Sequence, residues 1–406
     1  MKKESEFINS LYQEELAFKK ELNILRNDFY YKMIESKDIS LVDFFYKPLK
    51  TLSGDAYTAR VIDENRTFYL LVDGMGKGLS ASLTTMAITA FINHIIDKMR
   101  EYDSFSLDIL IKESMDFIKP ILLDEESLSI DYILVDSYLL QLEYAKFSMP
   151  PFLLEDDNCN IVKIKSNNPP MSKWSRTYHI DRVSVKDVHK FLFYSDGIVE
   201  NSTKDAKSYN DFIEKDFLDS FTREEMKEHI LGKIAQQEDD LTFIFINRLE
   251  LNEKTLLYEK IFDTKLAAID EAREWYENVC QNRWNDLAFN ELLMNAYEHG
   301  NLNIDSDKKH QMIEDDTYFE KLLTLEKECD KKITVQIYKI VNRSSVYMIT
   351  RITDEGDGFD TNTLSTIFRN AEKFNGRGVF VSRKHSMGIY FNSKGNSVLF
   401  LSKGHL

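Results

Sequence analysis

The stretch Leu71-Val72-Asp73-Gly74-Met75-Gly76-Lys77-Gly78 closes an apolar run with a single carboxylate and then opens a long helix. Phe68 to Val72 is aromatic and aliphatic and stops at a glycine-rich turn, the pattern of a buried strand. Gly74, Gly76 and Gly78 permit backbone angles that side chains forbid, and they let a carbonyl or a ligand come close to Asp73. Alone, the stretch reads equally as a site or as a tight corner in which Asp73 merely starts the helix Leu79 to Ile96. What the chain places at its other strand ends decides between them.

Three more acids sit where a hydrophobic run meets a turn. Asp55 follows Gly54 between the strand-like runs Leu41 to Tyr46 and Ala56 to Ile62. Asp196 follows the run Phe191 to Tyr194 and precedes Gly197, and Asp239 opens the run Leu241 to Ile246. Strand ends can bring distant residues together, and clustered carboxylates repel one another unless they hold cations. An all-oxygen set without His or Cys favours magnesium or manganese over zinc. Two such ions about 4 Å apart activate a bridging water and hold the oxygens of an in-line phosphoryl displacement. Phosphate-ester hydrolysis is the reaction this chemistry suits.

Gly54-Asp55, Val72-Asp73-Gly74-Met75-Gly76-Lys77-Gly78, Tyr194-Ser195-Asp196-Gly197-Ile198-Val199-Glu200 and Asp239-Asp240-Leu241-Thr242, in that order, resemble the SpoIIE-type bacterial branch of the metal-dependent (PPM) Ser/Thr protein phosphatases. The resemblance implies a two-sheet antiparallel sandwich flanked by helices and a site for two manganese or magnesium ions. It implies that Asp73, the Gly74 carbonyl, Asp196 and Asp239 lie near the metals, and that Asp55 binds directly or through water. It also implies that the helix after Gly78 moves with its neighbours to complete the site. Relatives often carry a second acid just after the first Gly-Asp, where this chain has Ala56, Tyr57 and Thr58. That departure bears on a third metal or a substrate contact and leaves the core pair of ions untouched.

At 406 residues the chain exceeds what one core usually covers, which predicts two domains. A hydrophobic content of 43% with 12% aromatics supplies both cores. The formal charge of -16 argues against nucleic acid as the main partner, because phosphate backbones need basic surfaces. Cys159, Cys280 and Cys329 are odd in number and widely spaced, which predicts unpaired thiols in a reducing compartment. The sequence reads as having no uninterrupted apolar run of membrane-spanning length, and Glu4 and Glu6 stand where a signal peptide would be basic and then apolar. The expectation is a cytoplasmic protein with no membrane partner.

From Ile8 the apolar residues step through Leu11, Phe18, Leu22, Leu25 and Phe29 at spacings of three and four, with Glu15 at a polar seam position. This predicts a coiled-coil-like helix that joins a second copy in a homodimer; the other reading is a helix packed on its own domain. At the far end, Arg248 to Lys254 loses periodicity and turns polar, which marks a domain boundary. Beyond it, a helix from Arg283 to His299 carries Glu291, Asn295 and His299 at helical spacing on one face, with Phe289, Leu292, Leu293 and Ala296 on the other. A Glu and an Asn one turn apart can activate a hydroxyl and ligate magnesium, or can form an ordinary solvated face. Asp354 ends a strand before Gly356 and Gly358, and Gly376 and Gly378 flank Arg377. Such glycines let backbone amides approach phosphates, and a buried Asp can accept from an adenine amino group.

Asn290-Glu291-Leu292-Leu293-Met294-Asn295-Ala296-Tyr297-Glu298-His299-Gly300, Asp354-Glu355-Gly356-Asp357-Gly358-Phe359 and Gly376-Arg377-Gly378 resemble the anti-sigma-factor serine kinases of the histidine-kinase-like (GHKL) ATPase superfamily. The resemblance implies ATP with Asp354 at the adenine, Asn295 on magnesium, Glu291 as base toward a serine hydroxyl, and the loop from Asp360 to Gly378 as lid. The departure is the charged segment 301–332, longer than relatives need and expected to form an acidic flap with one short helix.

These readings predict an α+β chain. A coiled-coil-like helix covers 1–38, a PPM-type antiparallel β-sandwich flanked by helices covers 39–248, and a linker covers 249–254. An α/β two-layer sandwich of the histidine-kinase-like ATPase type covers 255–406. The resemblances imply a protein phosphatase fused to a serine kinase that together set the phosphorylation of a STAS-type anti-sigma-factor antagonist, with a sigma factor as a further partner. The alternative is a phosphatase whose C-terminal domain is a non-catalytic ATP-sensing or partner-binding module.

Overall fold

The structure, a computed structural model, describes residues 2–29, 31–35, 38–76, 78–280, 286–364 and 386–404. Its contacts divide the chain into two compact units: Met1–Phe29 with Val42–Arg248, and Tyr30–Leu41 with Leu249–Leu406. Mixed α/β architecture with antiparallel sheets holds in both.

In the first unit, one sheet runs Asp181–Ser184, Gln141–Phe147, Ser127–Asp136, Arg66–Gly74, Asp55–Val61 in spatial order. Another contains, in order, Ile39–Lys47, Leu241–Leu249, Val188–Tyr194, Phe152–Asp156 and Ile161–Ile164. The strand around Leu71 forms because Phe68, Tyr69, Leu70, Leu71 and Val72 are apolar without a break, as a strand covered on both faces requires. One cover is the other sheet: the ring of Tyr69 lies 6.1 Å from that of Phe193, and Phe152 meets Phe193 edge-on at 4.8 Å. The other cover is helical. Leu79–Glu101 buries Ile88, Ile92 and Ile96, spaced by one turn, beside Leu107–Ile118. By length and composition Leu79–Glu101 could also cross a membrane, which corrects the reading that no such run exists; 56% of that apolar window is buried within the fold. The outer side of the second sheet carries Ile213–Asp219 and Arg223–Lys233, packed through Phe217, Met226 and Ile230 on Leu192, Phe243 and Phe245.

The N-terminal helix spans Lys2–Ile24 and ends before two residues assigned to the seam. Leu25 and Phe29 are core residues of their own unit, 1% and 2% exposed, and Phe29 packs on Tyr69 at 5.9 Å. The turn is local chemistry: Asn27 Oδ1 accepts from Phe29 N at 2.7 Å, and Asp28 N donates to the Ala59 carbonyl at 2.9 Å. The predicted helix through Phe29 is therefore corrected to one that ends at Ile24 and is followed by a chain segment joined to the strand Asp55–Val61.

The second unit has one antiparallel sheet in the order Leu256–Asp263, Lys332–Asn342, Ser345–Asp354, Ser397–Gly404, Gly388–Phe391. Leu266–Cys280 and Asp286–Asn295 cover it, with Tyr276 stacked on Phe289 at 3.8 Å. The charged segment 301–332 folds as two helices where one was expected, Ser306–Glu314 and Tyr318–Glu328. Asp305 caps the first by accepting from Lys308 N, a cap that a reading based on apolar clusters overlooks. Leu322 of the second is 2% exposed in the core.

Candidate active site

Four turns at strand ends of the first unit carry the predicted acids, and the charges of Asp55, Asp196 and Asp239 all bear on Asp73. Asp55 begins one strand and Asp73 ends its neighbour, and the antiparallel register sets them directly opposite. Such cross-strand neighbours sit about 4.5–5.5 Å apart at Cβ, a spacing that is unfavourable for two like charges. Asp196, first residue of the short helix Asp196–Glu200, lies near enough for its charge to raise the Asp73 carboxyl. Asp239 adds a further negative charge near Asp73.

The electrostatic result is large. Burial, then the charges of Asp55, Asp196 and Asp239, push the Asp73 carboxyl up to about 10. Burial likewise holds Asp55 well above the usual carboxylate range, with Asp240 and Asp196 adding to it and the Ser195 hydroxyl opposing it. Positive charge among these acids would favour their ionised forms. An all-oxygen donor set fits manganese or magnesium, so the residues present suit the implied ions. Among the described residues no three Asp, Glu, His or Cys side chains already converge as a formed metal centre. Gly74 is buried beside Asp73 and its N–H donates to the Gly54 carbonyl at 3.1 Å.

The turn that presents Asp55 is held by residues the sequence reading did not single out. Asp240 is 8% exposed, and its two oxygens accept from Leu49 N and Gly54 N, both at 2.6 Å. Ser53 N donates to Glu21 Oε1 at 3.0 Å, and Asp55 N donates to Ser53 Oγ at 3.0 Å. Ser195 Oγ donates to Asp55 Oδ2 at 2.6 Å. Asp240 and Ser195 stand inside quoted motifs, next to acids that drew the attention; Glu21 carries no sequence signal, since it reads as one more polar helix residue. Gly197 has a stricter reason to be glycine: a Cβ there would lie 2.0 Å from the Asp240 carbonyl. The Asp196 turn and the Asp239-Asp240 turn thus touch backbone to backbone.

In the second unit Asp354 ends its strand at 7% exposure, and burial raises its carboxyl to about 6. Its Oδ1 accepts from Gly356 N at 2.9 Å. Gly300 abuts it so closely that a Cβ would fall 2.4 Å from Asp354 Cγ. Gly358 adopts φ +80° against the Lys394 carbonyl. Glu291 and Asn295 lie one turn apart on Asp286–Asn295, both half-buried. His299 does not continue their face, because Ala296–Asn301 is a π-helical turn. Its Nδ1 meets the Ile304 carbonyl instead. Glu298, 1% exposed in that turn, binds Lys309 and Tyr318 from the charged segment. Gly376, Arg377 and Gly378 lie outside the described residues, as does most of the expected lid.

Residues 63–249 match the family model described as stage II sporulation protein E, SpoIIE, a match that supports a SpoIIE-type phosphatase domain in this part of the chain. The phosphoserine phosphatase RsbP of Bacillus subtilis is 25% identical over 217 residues, 51% of this chain and 52% of that protein. The chain thus spans about half the length of this curated relative. Among solved structures, the RsbU and RsbW domains of a Mycobacterium tuberculosis protein align over 90% of this chain and 94% of theirs, at 13% identity and TM-score 0.46. The phosphatase domain of SpoIIE from Bacillus subtilis, with a fragment of its regulatory domain, aligns over 51% of this chain and 63% of its own, at 16% identity and TM-score 0.43.

Proposed function

We propose that the first unit hydrolyses phosphoserine or phosphothreonine esters on a protein, using manganese or magnesium held by Asp55, Asp73, Asp196, Asp239 and the Gly74 carbonyl. The observation that carries this reading is the cross-strand pair Asp55 and Asp73, with the negative charges of Asp196 and Asp239 bearing on it, an arrangement that positive charge would stabilise. When bound, the ions supply a deprotonated water and neutralise charge on the phosphoryl oxygens. The chain's own part is to keep the acids at fixed positions: Ser195 orients Asp55, and Asp240 anchors the turn before it. The match to RsbP adds phosphoserine as the expected substrate group.

The second unit, on this reading, binds ATP with magnesium: Asp354 accepts from the adenine, Asn295 ligates the ion, and Gly356, Gly358, Gly376, Arg377 and Gly378 line the phosphates. Glu291 is then the base for a serine hydroxyl, and the chain both adds and removes phosphate on a STAS-type anti-sigma-factor antagonist. Joining both sites to one chain raises the local concentration of each for a shared partner. Cys159, Cys280 and Cys329, none of them in a disulfide among the described residues, suit a reducing, cytoplasmic setting. The competing reading keeps ATP binding without transfer.

The test is the phosphoserine fraction of candidate antagonist proteins incubated with ATP, manganese and each variant. Asp73→Asn should remove dephosphorylation and leave the antagonist phosphorylated; Glu291→Ala should do the opposite while retaining ATP. Undiminished hydrolysis by Asp73→Asn sinks the phosphatase assignment. ATP binding with no phosphoserine formed by Asp73→Asn leaves the second unit a sensing module.

A further inference from the structure

The helix Lys2–Ile24 sends one acid into the body of the first unit. Glu21 is 2% exposed, whereas Glu14 and Glu15 are exposed. Burying a carboxylate is costly unless its hydrogen bonds repay the lost hydration. Glu21 Oε1 accepts two, from Tyr46 hydroxyl at 2.6 Å and from Ser53 N at 3.0 Å, while Oε2 is buried without a hydrogen-bond partner. An apolar side chain would seat this helix at lower cost, so packing alone does not account for an acid at this position.

What Glu21 grips is the turn that starts the site. Ser53, Gly54 and Asp55 are consecutive, and the three backbone N–H groups are each taken by a side-chain oxygen: Glu21, Asp240 and Ser53 itself. Glu21 is thus one of two outside anchors on a turn that leaves Asp55 facing Asp73. The helix is not pressed along the whole loop. Glu14 meets Thr51 at 3.0 Å, but a cleft of about 380 Å³ lined by Glu15, Phe18, Pro48 and Lys50 opens beside that contact. General packing along the loop is therefore loose, and the contact at Glu21 fixes the turn.

We propose that Glu21 is a positioning residue for Asp55, so that the N-terminal helix, through this side chain, sets the affinity of the carboxylate site for divalent cations. The proposal rests on the phosphatase reading and adds to it a residue outside the SpoIIE-matched segment. Glu21 touches no cation; it acts through Ser53. Ser53 is the partner at one remove from Asp55, a place whose loss commonly changes metal affinity by about 10- to 100-fold, and Glu21 acts one step behind it.

The test is manganese binding by the full-length chain, read as free Mn2+ by electron paramagnetic resonance with no substrate present, together with amide exchange at Ser53. Glu21→Ala should weaken manganese binding about tenfold or more and speed exchange of the Ser53 amide. Glu21→Gln keeps an oxygen acceptor for Ser53 N and should restore both. Glu21→Leu refills the volume without an acceptor and should behave like Glu21→Ala, so it stands in if the smaller residue unfolds the chain. Manganese affinity in Glu21→Leu equal to that of the parent, whatever its thermal stability, overturns the positioning role. Absence of manganese binding by the parent itself overturns the phosphatase reading on which it rests, whereas loss in Asp73→Asn with no loss in Glu21→Leu overturns the positioning role alone.

Discussion

Ser195 Oγ donates a 2.6 Å hydrogen bond to Oδ2 of Asp55, joining the end of one sheet's strand Val188–Tyr194 to the start of the other sheet's strand Asp55–Val61. Both residues are buried. The bond favours the ionised form of Asp55 against the burial that opposes it. Ser195→Ala should therefore raise the manganese concentration needed for half-maximal hydrolysis and cost about 1–3 kcal/mol of stability. Phosphatase titrations in manganese and a thermal melt measure both; an unchanged manganese requirement would count against this role for the bond.

Adjacent acids should fail differently. Asp239→Asn removes a charge from the cluster and should abolish hydrolysis with little change in stability. Asp240→Asn removes the charge that serves Leu49 N and Gly54 N and loses one acceptor oxygen. It should cost about 2–3 kcal/mol, the worth of a hydrogen bond to a charged group, and speed amide exchange across 49–54. Denaturant melts of the two variants side by side decide it.

A third expectation concerns the pair Asp131 and Lys146, opposite each other on neighbouring strands and both 0% exposed, with a 2.7 Å ion pair. The Lys146 ammonium also sits 3.9 Å from the Phe152 ring centre in the facing sheet. Lys146→Met alone leaves a buried carboxylate uncompensated and should cost about 3–5 kcal/mol, whereas adding Asp131→Leu should return stability to the parental value or above. If the double variant were as unstable as the single one, the pair would be contributing more than its mutual charge.

The fourth is a pH dependence in the second unit. Burial raises Asp354 above the ordinary Asp value to about 6, so the folded state holds its proton more tightly than the unfolded chain does. Its contribution to stability is complete below the ordinary Asp value and declines as pH rises toward 6. Nucleotide binding runs the other way, since the ionised carboxylate is the better acceptor for an adenine amino group. ATP should bind more weakly at pH 5 than at pH 7.5 in the parent, and Asp354→Asn should flatten that difference; a pH-independent affinity in the parent excludes Asp354 as the acceptor.

Strand ends are legible in this sequence because period and punctuation are local properties: Phe68 to Val72 is apolar without interruption, and Asp73, Asp196 and Asp354 each stand where such a run meets glycine. The two helices of 301–332 are less so, because a single Asp305 cap and one buried Leu322 organise a mostly charged surface. The π-turn that removes His299 from the face of Glu291 and Asn295 leaves no mark in a 3.6-residue period.

Chain chemistry by itself determined which residue types can make a carboxylate site, and on which turns they stand. Only the tertiary structure decided that Asp55 faces Asp73, that Asp240 anchors a turn while Asp239 joins the charges, and that Glu21 leaves the helix surface for the core. The reason is range. Alternation and turn propensity act over a few residues. Burial of Glu21 or Asp240 depends on loops 32 and 186 positions away along the chain, and it is this burial that turns an ordinary acid into a support for the site.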